Sequence, residues 1–577
     1  MRPLLIVDTP RKLDYLQKHL GETYDYLCTN GLLYDLPRER VGVDVFNGFN
    51  LEQTLLPAKL ALAEKLLKFT SPFFVVTSPN EEGTRLYSQV LQLLRLPPKT
   101  KAHVCPAYLT PEILKELPKY AVSLNHNLLD AAEARRAVER LSGVLLSEFL
   151  HKVIPLFGYS SKGICMRDYI SYSAASILLH IHSRTLLLHS QNLGSHMFLK
   201  TTSGFSAGEV VPNPACSIEN LLPRYSDDPI EAEATFKRVQ EYTQDLKMIE
   251  TKEIQGQWTP PSSLSTEALH TYLFSLFTFQ EGELLKVLNL LFDEGHISFY
   301  HRTIQGLNTQ LIETIRTHFE KSNIIQYLDS RKLATLEKRG LGQCILPLHF
   351  DSTRLVHEPR AKEIFEAILN LTRLFFCKPM PRKEVHYLFA LRKHRFLGKV
   401  ELPPKLDNKH TPPFDFTYLK SSVAPKDKGE DYAVWLYTLE ALNEGMTVEE
   451  LLAPFQHSPS SLQLITAVDQ LLNRYKYLEL TEGKYYLTEQ GFTCSELLLS
   501  FYSQALSLDN YKQLQLQLEA VRYGKLSREW FLHEWFTSFK SSHENVMIEL
   551  EMDTADKPYT EADQDKITDT KITDTKK

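Results

Sequence analysis

Leu291–Asn308 reads LFDEGHISFYHRTIQGLN and sets two aromatic rings and two bases side by side: Phe299, Tyr300, His301 and Arg302. A tyrosine hydroxyl can attack a phosphodiester when a nearby cation lowers its pKa and stabilises the charge that builds at phosphorus. Arg302 or His301 could supply that cation. The same residues also read as a short amphipathic strand after a helix. Ile297 and Phe299 would then turn inward and His296, Ser298 and Tyr300 outward, as a period of two requires.

Toward the amino terminus, residues 1–120 read as α/β. Leu4–Asp8 (LLIVD) is a buried strand, Arg11–Leu20 an amphipathic helix, and Phe73–Thr77 (FFVVT) a second strand leading into SPNEEG at 78–83 and another helix. Strand, polar turn and helix, twice over, suggest a parallel sheet with polar groups gathered at the strand ends, where a metal would sit. The turn at 78–83 also reads simply as a capped helix start, with Glu81 and Glu82 favourable beside the helix dipole.

Asn125–Leu150 (NHNLLDAAEARRAVERLSGVLLSEFL) has apolar positions three and four apart and reads as a helix. Its Arg135, Arg136 and Arg140 could pair with Glu133, Glu139 and Glu148 along a solvated face. Ile170–His180 (ISYSAASILLH) is a run of small residues suited to packing. WTPPSSLSTEALH from Trp258 caps and begins a further helix. Thr447–Leu452, Ser460–Tyr475 and a hairpin over Tyr477–Leu487, turned at Glu482-Gly483, give the helix, helix, β-ribbon order of a winged-helix module.

With 577 residues, 43% of them hydrophobic, the chain can bury a large core in about three or four domains. No run of about eighteen apolar residues exists to span a bilayer. The start MRPLLIVDTPRK is too short and too soon charged for a signal peptide, so the cytoplasm is the expected location. Seven cysteines at 28, 105, 165, 216, 344, 377 and 494 form no C-x-x-C pair, which argues against a zinc ribbon or a disulfide framework and for buried thiols. The net charge of −6 counts against a surface that grips nucleic acid throughout. Part of it lies in Glu549–Lys577, with nine acids against five bases and a duplicated KITDT, a stretch expected to be disordered.

Together these stretches resemble the type IA DNA topoisomerases, over about residues 1–540. The family's nucleophile segment is roughly L-Y-E-x-G-x-I-[ST]-Y-x-R-T-[DN]-S, and Leu291, Phe292, Asp293, Gly295, Ile297 and Ser298 follow it. Aligned without a gap, the family's Tyr falls on Phe299 and its Arg on His301; with one residue inserted, they fall on Tyr300 and Arg302. The opening of the chain is similar to the first motif of a Toprim domain, matched by Asp8 and Lys12. The second motif, D-x-D-x-E-G, is met by Ser78, Asn80, Glu82 and Gly83, so two of its three acids are replaced. CTNGLLYDLPRE at 28–39 keeps Gly31, Asp35, Leu36 and Pro37 of S-x-G-H-[IL]-x-D-L-P, with Leu32 for the His. Asp130, Ala134, Arg135, Arg136, Arg140, Gly143 and Ser147 match D-x-x-x-A-R-R-x-[LM]-D-R-[LI]-x-G-x-x-[LV]-S, the helix whose arginines hold single-strand phosphates in the family. Elsewhere Ala174, Ser176, Gly342 and Ser458 stand where the family has polar DNA-facing or catalytic groups.

The resemblance implies an α/β Toprim domain plus mixed α and β domains in a toroidal multidomain core. The expected divisions are a Toprim-like domain at 1–120; a helical, winged-helix-like DNA-channel domain at 121–185 and 429–548; a β-rich support at 186–257 and 349–428; an arch at 258–348 carrying the nucleophile segment; and the tail at 549–577. An active member would use Tyr300 as nucleophile, Arg302 to stabilise the transition state, Lys12 to assist proton transfer and Glu82 as metal ligand or general acid. Asp8 and Glu82 would hold Mg2+, with neither zinc nor ATP required. Arg135, Arg136 and Arg140 would contact DNA. Positions that build the fold follow the family while those touching metal or phosphate have changed, so whether the chain is an enzyme stays open. The expectation is a monomeric, non-membrane protein that binds single-stranded or negatively supercoiled DNA with weak or no cleavage. The alternatives are an active topoisomerase working through a 5'-phosphotyrosyl intermediate, or a scaffold without nucleic acid that serves a protein partner.

Overall fold

The computed structural model describes residues 2–37, 40–157, 170–190, 196–201, 206–210, 224, 229–277, 279, 282–299, 303–304, 309–339, 342–355, 357–402, 432–437, 446–447, 450–451, 455, 461–481 and 484–555. The chain opens with strand β1 (Leu4–Val7), helix α1 (Pro10–Leu20), β2 (Asp25–Cys28), β3 (Phe73–Val76), α2 (Glu81–Leu93) and β4 (His103–Val104). The four strands form one parallel sheet in the order β2-β1-β3-β4.

All four residues of β1 are buried, because a central strand of a parallel sheet is covered on both faces. Its alternate side chains enter different cores. Leu4 and Ile6 pack with Leu86 and Val90 of α2, whereas Leu5 and Val7 join Leu16 of α1 and a long series of residues from 258–380. The strand therefore delivers the residue that follows it, Asp8, to a boundary between two packed cores.

Helices α3 (His126–Val153) and α4 (Tyr172–Ser190) share a core with 446–546. The hairpin Leu478–Thr481 with Lys484–Leu487 borders it, as do the helices Leu508–Arg522 and Arg528–Ala555. A six-stranded antiparallel sheet runs in the order Lys247–Trp258, Met380–Leu391, His394–Glu401, Ser206–Val210, His196–Thr201, Tyr432–Tyr437. Helices α5 (Thr266–Leu276) and α6 (Glu283–Asp293) belong to the core that takes in Leu5 and Val7. Helix α7 (Pro359–Phe375), grouped above with the β-rich support, contributes Ile364, Phe365 and Ile368 to that same core and contacts α5 and α6.

Three expectations need correction. Ile297 makes an isolated bridge to Pro347, no strand develops over the described residues 296–299, and His296 and Ser298 are buried along with Ile297 and Phe299. The 344–349 segment lies alongside and satisfies the supposed outer groups: the Ser298 hydroxyl accepts from the Leu346 amide at 2.9 Å, and His296 Nδ1 meets His349 Nε2 at 2.7 Å. The last helix continues to Ala555, so the start of the expected disordered tail is helical; 556–577 lie outside the described residues. Cys344, Cys377 and Cys494 are buried, but Cys28 and Cys105 are partly exposed, and Cys165 and Cys216 lie outside the described residues.

Candidate active site

The site forms where β1 ends. Thr9 is the N-cap of α1, its hydroxyl accepting from the Lys12 amide at 3.2 Å, and Pro10 occupies the first turn, where its missing N–H costs nothing. This cap turns α1 so that Lys12 points back under Asp8. The Lys12 side chain has no exposed surface, and Nζ donates to Asp8 Oδ1 at 2.5 Å and to Ser78 Oγ at 3.2 Å, and lies 3.3 Å from Asp293 Oδ1. An ammonium has three N–H bonds, and these three oxygens take them all.

The two carboxylates are held on their other sides. Asp8 Oδ2 accepts from the Ser78 amide at 3.0 Å, and Asp293 Oδ2 accepts from the Thr9 hydroxyl at 2.5 Å. Asp293 closes α6, so these contacts join the nucleophile-like segment to the N-terminal sheet. Arg11 adds an outer layer with Glu294 at 3.1 Å and Glu358 at 2.6 Å.

Burial is the largest influence on Lys12 and works to lower its pKa, but the charges and hydrogen bonds of Asp8 and Asp293 outweigh it. The ammonium is held above its ordinary value and stays protonated. Burial raises the Asp293 carboxyl, against the pull of Lys12.

Residues 78–83 explain their own substitutions. Asn80 is the N-cap of α2, accepting from the Gly83 amide at 2.7 Å. A Cβ on Gly83 would stand 2.1 Å from the Ser78 carbonyl oxygen and 2.5 Å from Thr77 Oγ1, so only glycine permits this turn. Thr77 Oγ1 lies 2.8 Å from His103 Nε2, whose ring burial pushes down to about 4 and keeps neutral. Glu82 is mostly exposed and pairs with Arg85 at 3.0 Å.

This donor set does not fit a divalent ion. Such an ion needs about six oxygens. Here both inward carboxylate oxygens and the Ser78 hydroxyl are already directed at Nζ, and Glu82 faces Arg85. Among the described residues, no group of three or more His, Cys, Asp or Glu side chains is placed to hold a metal.

Phe299 has no exposed surface; its amide donates to the Ala107 carbonyl at 2.9 Å and its ring packs against Phe292. Tyr300 and Arg302 lie outside the described residues. Gly295, with φ +70°, makes the turn between α6 and this segment; a Cβ there would come within 2.5 Å of the Leu109 carbonyl and the Tyr15 hydroxyl.

The three arginines of α3 have partners from elsewhere in the chain, in place of the acids of their own helix. Arg135 is buried, donating to Gln515 Oε1 at 2.9 Å and pairing with Glu81 at 3.3 Å. Arg136 pairs closely with Asp35. Arg140 donates to the carbonyls of Pro37, Arg40 and Val41. Of the expected site residues, the structure brings together Asp8 and Lys12. Asp293 and Thr9, absent from that set, complete the group. Asp293 lay within the quoted stretch, but nothing in its spacing pairs it with a lysine so far away in the chain.

The chain is similar to DNA topoisomerase 1 of Thermotoga maritima, at 22% identity over 573 aligned positions, covering 94% of this chain and 85% of that protein. Its fold is similar to that of the full-length topoisomerase I from Thermotoga maritima in a monoclinic crystal form, with a TM-score of 0.63 at 18% identity, covering 94% of this chain and 90% of that one. No family model matches the chain.

Proposed function

We propose that the chain is a type IA topoisomerase-like protein that binds DNA while having lost most or all of the chemistry of strand cleavage, a reading supported by its similarity to a topoisomerase in sequence and fold. In this reading residues 1–120 are a Toprim-like domain, the arch carries Phe299 toward it, and the whole encloses a hole for DNA in a cytoplasmic monomer. Among the described residues, no helix is long and apolar enough to cross a membrane.

One observation carries the reading: the carboxylates at the head of the sheet are saturated by Lys12 and by hydroxyl and amide donors of their own chain. Asp8 and Glu82, the expected pair of metal ligands, are engaged with Lys12 and Arg85 respectively, and no step is derived through Mg2+. What persists is a surface for DNA. Strand contact on α3 falls to Arg136 and Arg140, which would exchange Asp35 and loop carbonyls for phosphates, while Arg135 braces α3 against Glu81 and Gln515.

Incubation of the purified chain with supercoiled plasmid and Mg2+ tests this: the plasmid stays supercoiled, and a single-stranded oligonucleotide is retarded in a gel at low salt. Relaxation abolished by Tyr300→Phe would replace this reading with that of an active enzyme, using Tyr300 and Arg302 as nucleophile and charge stabiliser. Absence of retardation at any salt would leave the scaffold without nucleic acid.

A further inference from the structure

Two carboxylates converging from distant parts of the chain, with Ser78 and Thr9 hydroxyls beside them, are the usual lining of a hard-cation pocket. In this chain the pocket has an occupant. Nζ of Lys12 sits against the face made by Asp8 Oδ1, Asp293 Oδ1 and Ser78 Oγ, at 2.5, 3.3 and 3.2 Å. The Phe292 ring closes another side, its centroid 5.6 Å from Nζ. The second oxygen of each carboxylate is turned away, to the Ser78 amide and the Thr9 hydroxyl. Every carboxylate oxygen that could face a metal therefore already faces an N–H or O–H donor of the chain itself.

We propose that the Lys12 ammonium is the resident cation of this pocket: it is the shared counter-ion of Asp8 and Asp293, excludes Mg2+ from them, and pins α6 to the N-terminal sheet as a bridging metal would. A tethered cation differs from a bound one in two ways. It cannot be washed out or competed away by mass action, since its effective concentration is set by α1. It also carries one charge rather than two, which is why the hydroxyl and amide donors are needed to finish the two carboxylates.

The inference concerns the same residues as the proposed function but can fail separately. The test uses the full chain, with Mn2+ as the probe, followed by the paramagnetic resonance of free Mn2+ and by thermal melts. The wild-type chain is expected to leave Mn2+ free at the Asp8 pocket, so that Asp8→Asn changes the titration not at all, and its Tm is indifferent to Mg2+ or chelator. Lys12→Met keeps the buried stem and removes the charge. That variant is expected to melt several degrees lower, to take up one Mn2+ per chain, and to regain most of the lost Tm with Mn2+; adding Asp8→Asn abolishes the uptake. Asp8→Asn separates this pocket from weak binding by the acidic tail. Wild-type binding of Mn2+ that Asp8→Asn removes would overturn the inference, as would a folded Lys12→Met chain that takes up none. If Lys12→Met does not fold, the wild-type and Asp8→Asn titrations decide alone. Wild-type Mn2+ binding without plasmid relaxation would sink this inference and spare the functional reading; relaxation with Mn2+ left free would do the opposite.

Discussion

The Phe299 ring meets the Phe292 ring edge-on, with centroids 5.0 Å apart and planes inclined by 69°. Phe292 in turn borders Lys12, so Phe299 is one ring removed from the charged pocket. Because Phe299 is fully enclosed, a hydroxyl added there has to find a partner or remain unsatisfied, at about 1–3 kcal/mol. Phe299→Tyr is expected to lower the urea midpoint accordingly and to leave plasmid supercoiled, because Lys12 still holds both carboxylates. Relaxation by that variant would show that the missing hydroxyl was the sole lesion.

Asp293→Ala leaves Lys12 with one carboxylate and the Thr9 hydroxyl without its acceptor. Breaking a buried charged pair costs about 3–5 kcal/mol; with Asp8 still in place, the lower end is expected in denaturant unfolding. The pH dependence has a definite sign. Lys12 is raised above its ordinary 10.5, so its contribution is present throughout neutral pH and is lost only as pH rises through that higher value. The alkaline limb of the wild-type stability curve should therefore fall later than that of Asp293→Ala. Coincident limbs would dissociate Lys12 from Asp293.

His270, on α5, is fully buried, and among the described residues neither ring nitrogen has a hydrogen-bond partner. Burial lowers its pKa from 6.5 to about 3. A depressed histidine supports the fold fully above its unfolded value and ceases to as pH falls from there toward the folded one, so acid should destabilise the protein from about pH 6.5 downward. His270→Leu is expected to add about 1–2 kcal/mol at pH 7 and to flatten that acid limb by up to one proton. An unchanged pH slope in the variant would assign the acid lability to other groups.

Arg136 and Arg140 carry the prediction about DNA. Replacing both by Ala should weaken single-strand retardation at low salt and reduce the slope of log affinity against log salt by about 0.7 per residue. An unaltered slope would confine the two arginines to holding Asp35 and the carbonyls of Pro37, Arg40 and Val41.

Local pattern was enough for elements whose periodicity is strong. Pro10–Leu20, Phe73–Val76, His126–Val153 and the hairpin at 478–487 lie within a few residues of where apolar spacing and turn residues put them. It misled at Ile297–Phe299, where alternation implied one wet face. The 344–349 segment, brought in by tertiary packing, supplies partners for Ser298 and His296, and burial on both sides follows. The site was half legible for the same reason. Asp8 and Lys12 are four apart across a strand end and a helix start, so their meeting follows from local geometry. Asp293 reaches them only because β1 feeds a core that also contains α6, a relation between distant segments that no spacing encodes. Arg135, Arg136 and Arg140 were expected either to hold phosphates or to pair along their own helix; Glu81, Gln515, Asp35 and loop carbonyls come from outside any helical repeat.

The six-stranded sheet bears on how the chain is made. Emerging from a ribosome, the strand pair His196–Thr201 and Ser206–Val210 lacks its neighbours in the described sheet until His394–Glu401 and Tyr432–Tyr437 are translated, and Lys247–Trp258 waits for Met380–Leu391. Through much of synthesis, then, the nascent polypeptide displays unpaired strand edges of the sort that recruit other chains. Slow maturation helped by chaperones, and some loss to inclusion bodies on overproduction, are the expected outcome of this topology.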